Sequence, residues 1–509
     1  MPREGVTEQT ARVLFRDVFA VTEFRALWMA QLLSVIGDQL ARVALTVLVY
    51  DRTHSALLSA VTFVVGIVPA FIGGVTLAWL ADRYPRRAVM IICDVIRGVL
   101  VLVMAIPRVP LAAMVALLFV VTLFGAPFNS ARAAIFPDVL GGDMYVTGTA
   151  VTVTTYQFAL VIGFAVGGTL VAFFGTRTSL VIDAATFAAS ALIVRAWVQA
   201  RPAAAAGTHH ESSRLTGIFT GARLVLARSA LRTPLLFGLL AAFYNAPEGV
   251  AAPLASSLGG GAAAVGVILA ANALGQTVGT ITFSRFVAPA TRLRFMGPLA
   301  ISACGVLVLF FWKPDLYVSL LILFTSGLCA CYQLAANSSF VSAAPQEQRS
   351  QAFGLAQGAM SLGQGAVMIL AGAAAEHHAS AQAITVCGAI GVVAAFAVTV
   401  GADRDRGWLG SKRHQRALGQ VQLLSRMAGS LVCGWGVVLV GSSGPVVVAH
   451  YALLSSPAGE AEGRGSGPVV VAHSGLLSVL GRWFGGQEVG VSSASATSTQ
   501  VGTSLYVHI

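Results

Sequence analysis

Twelve apolar runs, each long enough to cross a bilayer, leave this chain little choice of fold. They fall at roughly 27–50, 56–80, 88–107, 111–131, 150–174 and 178–197. After a polar interval they resume at about 234–257, 262–284, 295–312, 316–338, 352–375 and 381–402. A helix rises about 1.5 Å per residue, so about 20 residues cover a hydrocarbon core of about 30 Å. Backbone groups in lipid find no water, so runs of this length cross as helices; a barrel would show segments of about 10 residues with alternating polarity. The composition agrees, at 56% hydrophobic and 10% charged, with a mean hydropathy of +0.79. The pattern predicts an all-α membrane protein of twelve transmembrane helices in two six-helix halves, 27–197 and 234–402.

Charge sets the expected orientation. With residues 1–26 in the cytoplasm, 18 of the Lys and Arg residues before position 403 fall on the cytoplasmic side. Four, Arg52, Arg108, Arg177 and Lys313, fall outside. Basic loops stay in the cytoplasm, so both termini are expected there. The net charge of +11 is spread over these loops and is explained without nucleic acid. Residues 1–23 mix Arg3, Arg12 and Arg16 with acids before any long apolar run, unlike a cleavable signal peptide. Residues 198–233 link the halves. Their second part, 215–231, sets Ile218, Leu224, Leu226 and Leu231 among Arg223 and Arg228, the pattern of an amphipathic helix on the cytoplasmic membrane face. The Gly-, Ser- and Val-rich tail, 403–509, repeats 443–450 as 466–473 and is expected to be disordered. The six cysteines lie mostly inside apolar runs without metal-ligand spacing. No phosphate-binding Gly-rich loop and no H-E-x-x-H pattern occurs. The chain therefore reads as a non-enzyme without metal or cofactor.

The tight turn 77–87 places Asp82, Arg83, Arg86 and Arg87 between the second and third runs. It resembles the signature loop between helices 2 and 3 of the major facilitator superfamily, with Ala78 and Pro85 where that loop has glycines. Pro85 presets the φ of a turn. The stretches 127–138, 183–190 and 345–354 are similar to segments of the branch that includes enterobactin exporters and macrolide-efflux-like proteins. The resemblance covers about residues 20–402. It implies a monomeric secondary transporter of a bacterial plasma membrane, embedded in lipid. On that resemblance it exports a drug-, macrolide- or siderophore-like amphiphile in exchange for protons. Gly163, Gly167 and Gly168 resemble the family's antiporter motif, with Phe164 in place of its proline; small residues there would let the halves approach at a pivot.

Ionisable residues inside spans cost roughly 2.5–3.5 kcal/mol on insertion scales, so each one needs a reason. Asp38 and Arg42, four apart in the first run, share a helix face. They are read as the proton- and substrate-responsive pair, or as a static brace. Glu248, flanked by Pro247 and Pro253, has no cation in its own helix and is the second coupling candidate. Asp94 and Arg97, three apart near the cytoplasmic end of the third run, are expected to join Asp82, Arg83, Arg86 and Arg87 in a gating charge network. Asp183 is expected near the external surface. Trp28, Gln31, Tyr156, Gln157, Phe243, Tyr244, Tyr332 and Gln333 could line a cavity. Two other functions stay open: an importer or facilitator of the same fold, and a non-transporting membrane sensor or scaffold.

Overall fold

The computed structural model describes residues 15–77, 79–201, 225, 228–345, 349–402, 437–440, 446–450, 491–492 and 504–507. The chain divides into two compact units, Met1–Asp405 and Arg406–Ile509.

In the first unit, ten helices among the described residues are long and apolar enough to cross a membrane. An eleventh crossing is the pair Ser229–Gly249 and Ala251–Ser257, bent by 44°. One of the ten, Met144–Trp197, has 54 residues, roughly 80 Å at 1.5 Å per residue. It is interrupted at Gly175, where φ is 75° and ψ is 167°. Read as two crossings, it completes the expected twelve. The spans are then Thr22–Thr53, Ala56–Thr76, Arg86–Ala105, Leu111–Val139, the fifth and sixth on either side of Gly175, and the bent pair as seventh. The eighth to twelfth are Ala262–Phe286, Thr291–Trp312, Leu316–Ala343, Ala352–His377 and Ser380–Ala402. Large apolar side chains such as Phe173, Phe286, Leu321, Leu370 and Val393 face outward, a surface suited to lipid rather than water.

Prolines break two spans, and both breaks matter below. The second span stops as a helix at Val65 and restarts at Val68. Pro69 has no N–H to give the carbonyl four residues back, and the next amide, Ala70, bonds to Ile67 at 3.3 Å. The Gly66 carbonyl is left to other donors. The seventh span divides into Ser229–Leu239, Ala241–Tyr244, Ala246–Gly249 and Ala251–Ser257, with Pro247 and Pro253 each lying just past a break.

The halves meet along two seams. In one, glycines spaced seven apart on the eleventh span, Gly358, Gly365 and Gly372, face Phe71, Val64 and Ala60 of the second. A Cβ at Gly365 would come within 3.0 Å of Val64. In the other, Gly168 of the fifth span meets Gly266 of the eighth so closely that a Cβ on Gly168 would lie 2.6 Å from the Gly266 Cα. Side chains larger than hydrogen would push these helices apart.

In the second unit the described residues form a four-stranded antiparallel sheet of β1 Val437–Val440, β2 Val446–His450, β3 Val491–Ser492 and β4 Ser504–Val507, in the order β1-β2-β4-β3. Disorder is expected of the tail from sequence, yet these Val-rich segments have the β-branched composition of strands. The second copy of the repeat, 466–473, and most of the linker segment 215–231 lie outside the described residues.

Only glycine adopts the backbone angles of residue 175 without strain, so Gly175→Val is expected to cost about 1–3 kcal/mol. Its thermal unfolding in detergent should begin several degrees below that of the parent chain; an unchanged transition would show that the fifth and sixth spans do not turn there.

Candidate functional site

The first, third and sixth spans are pinned by one buried guanidinium. Arg97 of the third span is 2% exposed and bonds to Asp38 of the first span. It donates to Ser34 Oγ at 3.0 Å and lies 3.8 Å from Asp94, one turn earlier on its own helix. The Phe187 ring of the sixth span lies 4.2 Å from its guanidinium carbon, a cation–π distance. Asp94 is fully buried and accepts from Ser190 Oγ at 2.6 Å. Asp183 is fully buried as well, against Gly37, whose missing Cβ leaves the space that its carboxylate and Thr186 fill. It lies inside the bundle, close enough to Asp38 and Arg97 to interact electrostatically.

This arrangement corrects two pairings expected from helical spacing. Asp38 does not pair with Arg42; a longer-range partner on another helix meets it head on. Asp94 and Arg97 do form their ion pair, but within this cluster and not with the basic loop. The loop arginines are engaged elsewhere. Arg86 bonds to Asp138 at 2.9 Å and to the Ala134 carbonyl at 2.8 Å, both at the end of the fourth span. Arg87 bonds to the Arg195 carbonyl at the end of the sixth. Arg83 lies 6.0 Å from the Trp79 ring. Ala78 and the side chains of Asp82 and Arg349 lie outside the described residues. The turn 77–87 and the stretch 127–138 are thus joined directly by Arg86 and Asp138.

Released from Asp38, Arg42 turns to the break in the second span. It donates to the Gly66 carbonyl, which the Ala70 amide leaves free by bonding to Ile67, and lies 5.5 Å from the Phe63 ring. A Cβ on Gly66 would fall 2.5 Å from Arg42 Nε. Among the described residues no carboxylate lies within ion-pair distance of Arg42, and its Nε is buried without a hydrogen-bond partner.

Arg42 faces a cavity of about 220 Å³ between the halves. The N-terminal half contributes Arg42, Ile67, Tyr156, Gln157, Leu160 and Phe164, and the C-terminal half Asn245, Glu248, Ala273, Gln276 and Gln364. Asn245 and Glu248 are placed by the broken seventh span. Asn272 bridges them, donating to Asn245 Oδ1 at 3.1 Å and to Glu248 Oε1 at 3.2 Å, and Gln276 donates to Asn245 at 3.1 Å. Glu248 has no cation within ion-pair distance among the described residues, but it interacts across the cavity with Arg42.

Of the aromatic and amide residues named from sequence, Tyr156 and Gln157 line this cavity. Trp28 instead bonds to Thr155 at 2.9 Å, and Gln31 accepts from Arg132. Tyr332 and Gln333 bond to backbone carbonyls at Phe237 and Gly238, both at 3.2 Å, and Tyr244 is buried. Gln276 and Gln364 are not among the residues named from sequence, although Asn272 and Gln276 stand four apart on the eighth span and Gln357 and Gln364 seven apart on the eleventh, a polar period that marks one helix face. Of the glycine trio, Gly168 alone meets the other half; Gly163 and Gly167 pack on Gln39 and Leu40 of the first span.

At the end of the bundle opposite the turn 77–87, Glu376 of the eleventh span accepts from Ser55 Oγ at 3.2 Å and from the Leu57 amide at 3.0 Å. It caps the N-terminus of the second span from the other half, where a helix dipole favours an anion.

This fold is shared with known transporters. The sequence model of the Major Facilitator Superfamily matches residues 27–247 and 249–489, and the chain belongs to that family. It is a multi-pass membrane protein of a transporter family. Among curated proteins it is similar to the enterobactin exporters EntS of Shigella boydii serotype 4 (strain Sb227) and of Escherichia coli O1:K1 / APEC. Each is 26% identical over 263 residues, 51% of this chain and 62% of the relative. The chain thus matches less than two thirds of their length. Among solved structures it resembles a mutant of the nucleoside transporter NupG (TM-score 0.59, 17% identity, 74% of this chain and 99% of that one). It also resembles a bacterial homologue of the human lysosomal transporter Spinster in an inward-facing, occupied conformation (TM-score 0.59, 14% identity, 75% and 96%).

Two outcomes test the geometry. Arg97→Leu strands the buried Asp94, and breaking a buried pair costs about 3–5 kcal/mol. The variant should unfold at markedly lower temperature in detergent, and adding Asp94→Asn should recover part of the loss. No recovery would place the defect in packing rather than charge. Glu376→Ala removes an exposed contact worth at most about 1 kcal/mol. In a variant freed of its native cysteines and carrying Gln364→Cys, it should raise labelling from that end by a few-fold; unchanged labelling would show that this contact does not hold the end closed.

Proposed function

We propose that this chain is a proton-coupled exporter of small organic molecules, set in the inner membrane with both termini in the cytoplasm. One observation carries the reading. A polar cavity lies between two six-span halves and receives a cation from one and a carboxylate from the other. A solute held there contacts both halves, so its presence and its release bias their relative positions. The proton path is assigned to Asp38. Its side chain is 33% exposed, while Arg97 is 2% exposed and Asp94 fully buried. Asp38 is therefore the member of the cluster that water reaches, and it stands one turn from Arg42 on the cavity-lining helix. Gaining a proton loosens its bond to Arg97 and alters the field at Arg42. Export rather than import is supported by the likeness to EntS, whose printed name is enterobactin exporter. The 18-to-4 bias of basic residues supports the orientation.

The test is solute movement in proteoliposomes under an imposed pH gradient, acid on the side of Ser55 and Glu376. Gradient-driven export should be lost in Asp38→Asn, while solute binding in detergent is retained. Export that survives the substitution would move the proton site to Glu248. Movement that ignores the gradient would leave a facilitator of the same fold.

A further inference from the structure

Two opposite charges face each other across the cavity, and among the described residues neither has an ionic partner. Arg42 is held by a backbone carbonyl and an aromatic ring, with Nε unbonded. Glu248 is held by one amide, Asn272. The two interact electrostatically across the space, yet they form no ion pair, because they belong to different halves with the cavity between them. Asp38, Asp94 and Asp183 gather around Arg97. Arg132, which likewise has no ionic partner among the described residues and a buried Nε without a hydrogen bond, donates to Gln31 and lies outside the cavity lining. Arg42 and Glu248 are the oppositely charged pair that lines the cavity from the two halves.

A buried charge left without a counter-charge is costly, and the cost is recovered when a ligand supplies one. An anion suits Arg42 and a cation suits Glu248, so a ligand carrying only one charge leaves the other residue unmatched. The cavity's volume of about 220 Å³ falls below the roughly 300–1,000 Å³ of sites for drug-sized ligands. Its remaining polar wall, Tyr156, Gln157, Gln276 and Gln364, offers hydrogen bonds to a polar body, beside an apolar strip of Ile67, Leu160, Phe164 and Ala273 that can cover a short methylene chain.

We infer that the solute is a small zwitterion whose anionic group sits on Arg42 and whose cationic group sits on Glu248, so that the molecule itself bridges the two halves. This rests on the cavity being the transport site, as proposed above, but it is tested by binding alone, with no gradient and no flux.

The purified full-length chain in detergent is titrated with ω-amino acids of increasing chain length, and in parallel with the matching alkylamines and alkyl carboxylates. Binding is followed by isothermal calorimetry. One chain length of the zwitterion should bind at least roughly tenfold more tightly than either singly charged analogue, since a bond to a charged group contributes about 1.5–3 kcal/mol. Arg42→Gln should erase the preference over the amine but keep the preference over the carboxylate. Glu248→Gln should do the reverse. Arg42→Lys, which keeps the charge, should retain the preference and guards against misfolding of the neutral variant. Equal binding of all three series, tighter binding of a singly charged analogue, no saturable binding of any zwitterion, or variants that weaken all ligands alike would each overturn the inference. Zwitterion selectivity without pH-driven flux would overturn the proton-coupled reading and leave this one standing. Gradient-driven export of a singly charged dye that is indifferent to Arg42→Gln would do the opposite.

Discussion

A guanidinium inside an apolar bundle must be neutralised where it sits, and Arg97 is where this chain meets that demand. Its bonds to Ser34 and Asp38, its neighbour Asp94 and the Phe187 ring tie the first, third and sixth spans to one another. Helix packing in lipid lacks a hydrophobic drive, so polar contacts of this kind carry much of the specificity of association. The cluster also fixes what is left over. Because Arg97 takes Asp38, Arg42 has no acid of its own; because it holds Asp94, the basic turn 77–87 must find partners at the ends of the fourth and sixth spans. The charge pattern of the half follows from that one placement.

The cavity depends on broken helices as much as on charge. A straight second span would bond the Gly66 carbonyl internally and leave no acceptor for Arg42. The break removes that option, since the Ala70 amide bonds to Ile67 instead, and the absence of a Cβ at Gly66 lets the guanidinium approach. The seventh span does the same for the other half: its breaks around Pro247 carry Asn245 and Glu248 to the cavity wall, where Asn272 and Gln276 bond to them. Backbone irregularity at membrane depth is tolerated where it is buried in protein or lines a cavity, and both breaks meet that condition. The glycine seams set how closely the walls stand. Gly168 against Gly266, and the heptad-spaced glycines of the eleventh span against the second, bring the halves near enough for residues from both to face one cavity.

The spans were legible because a membrane imposes a length, and most described boundaries fall within a few residues of the apolar runs. The helix break at Glu248 was legible because proline acts locally. The basic turn was legible as a turn, but its partners were not. Of the two same-helix pairs, Asp94 and Arg97 do meet, whereas Asp38 and Arg42 do not. Asp38 and Arg42 share a face, as spacing says, yet a shared face does not exclude a better-placed Arg97 on another helix. The same limit hid Glu376, which reads as part of an exposed turn before His377 until the fold brings Ser55 and Leu57 to it. The Gly358, Gly365 and Gly372 stripe carried a readable period of seven, and the polar pairs Asn272–Gln276 and Gln357–Gln364 were likewise readable at helical spacing.

A cation and a carboxylate on opposite walls, each without an ionic partner among the described residues, also bear on how such a cavity could empty and reset. With a zwitterion between them, both charges are matched and the halves are bridged. Without it, Arg42 and Glu248 attract each other across the gap but belong to separate bodies that must move apart for the site to face the other side. On the proposed proton path, a proton on Asp38 would change the field that Arg42 feels, because Asp38 lies one turn away and interacts with it. The same proton weakens the Asp38–Arg97 bond that anchors the first span to the third. A single protonation therefore acts both on the residue that would hold the solute's anion and on the anchor of the helix that carries it. A coupled transporter needs binding and conformation to answer to one event, and the first span is built so that both can.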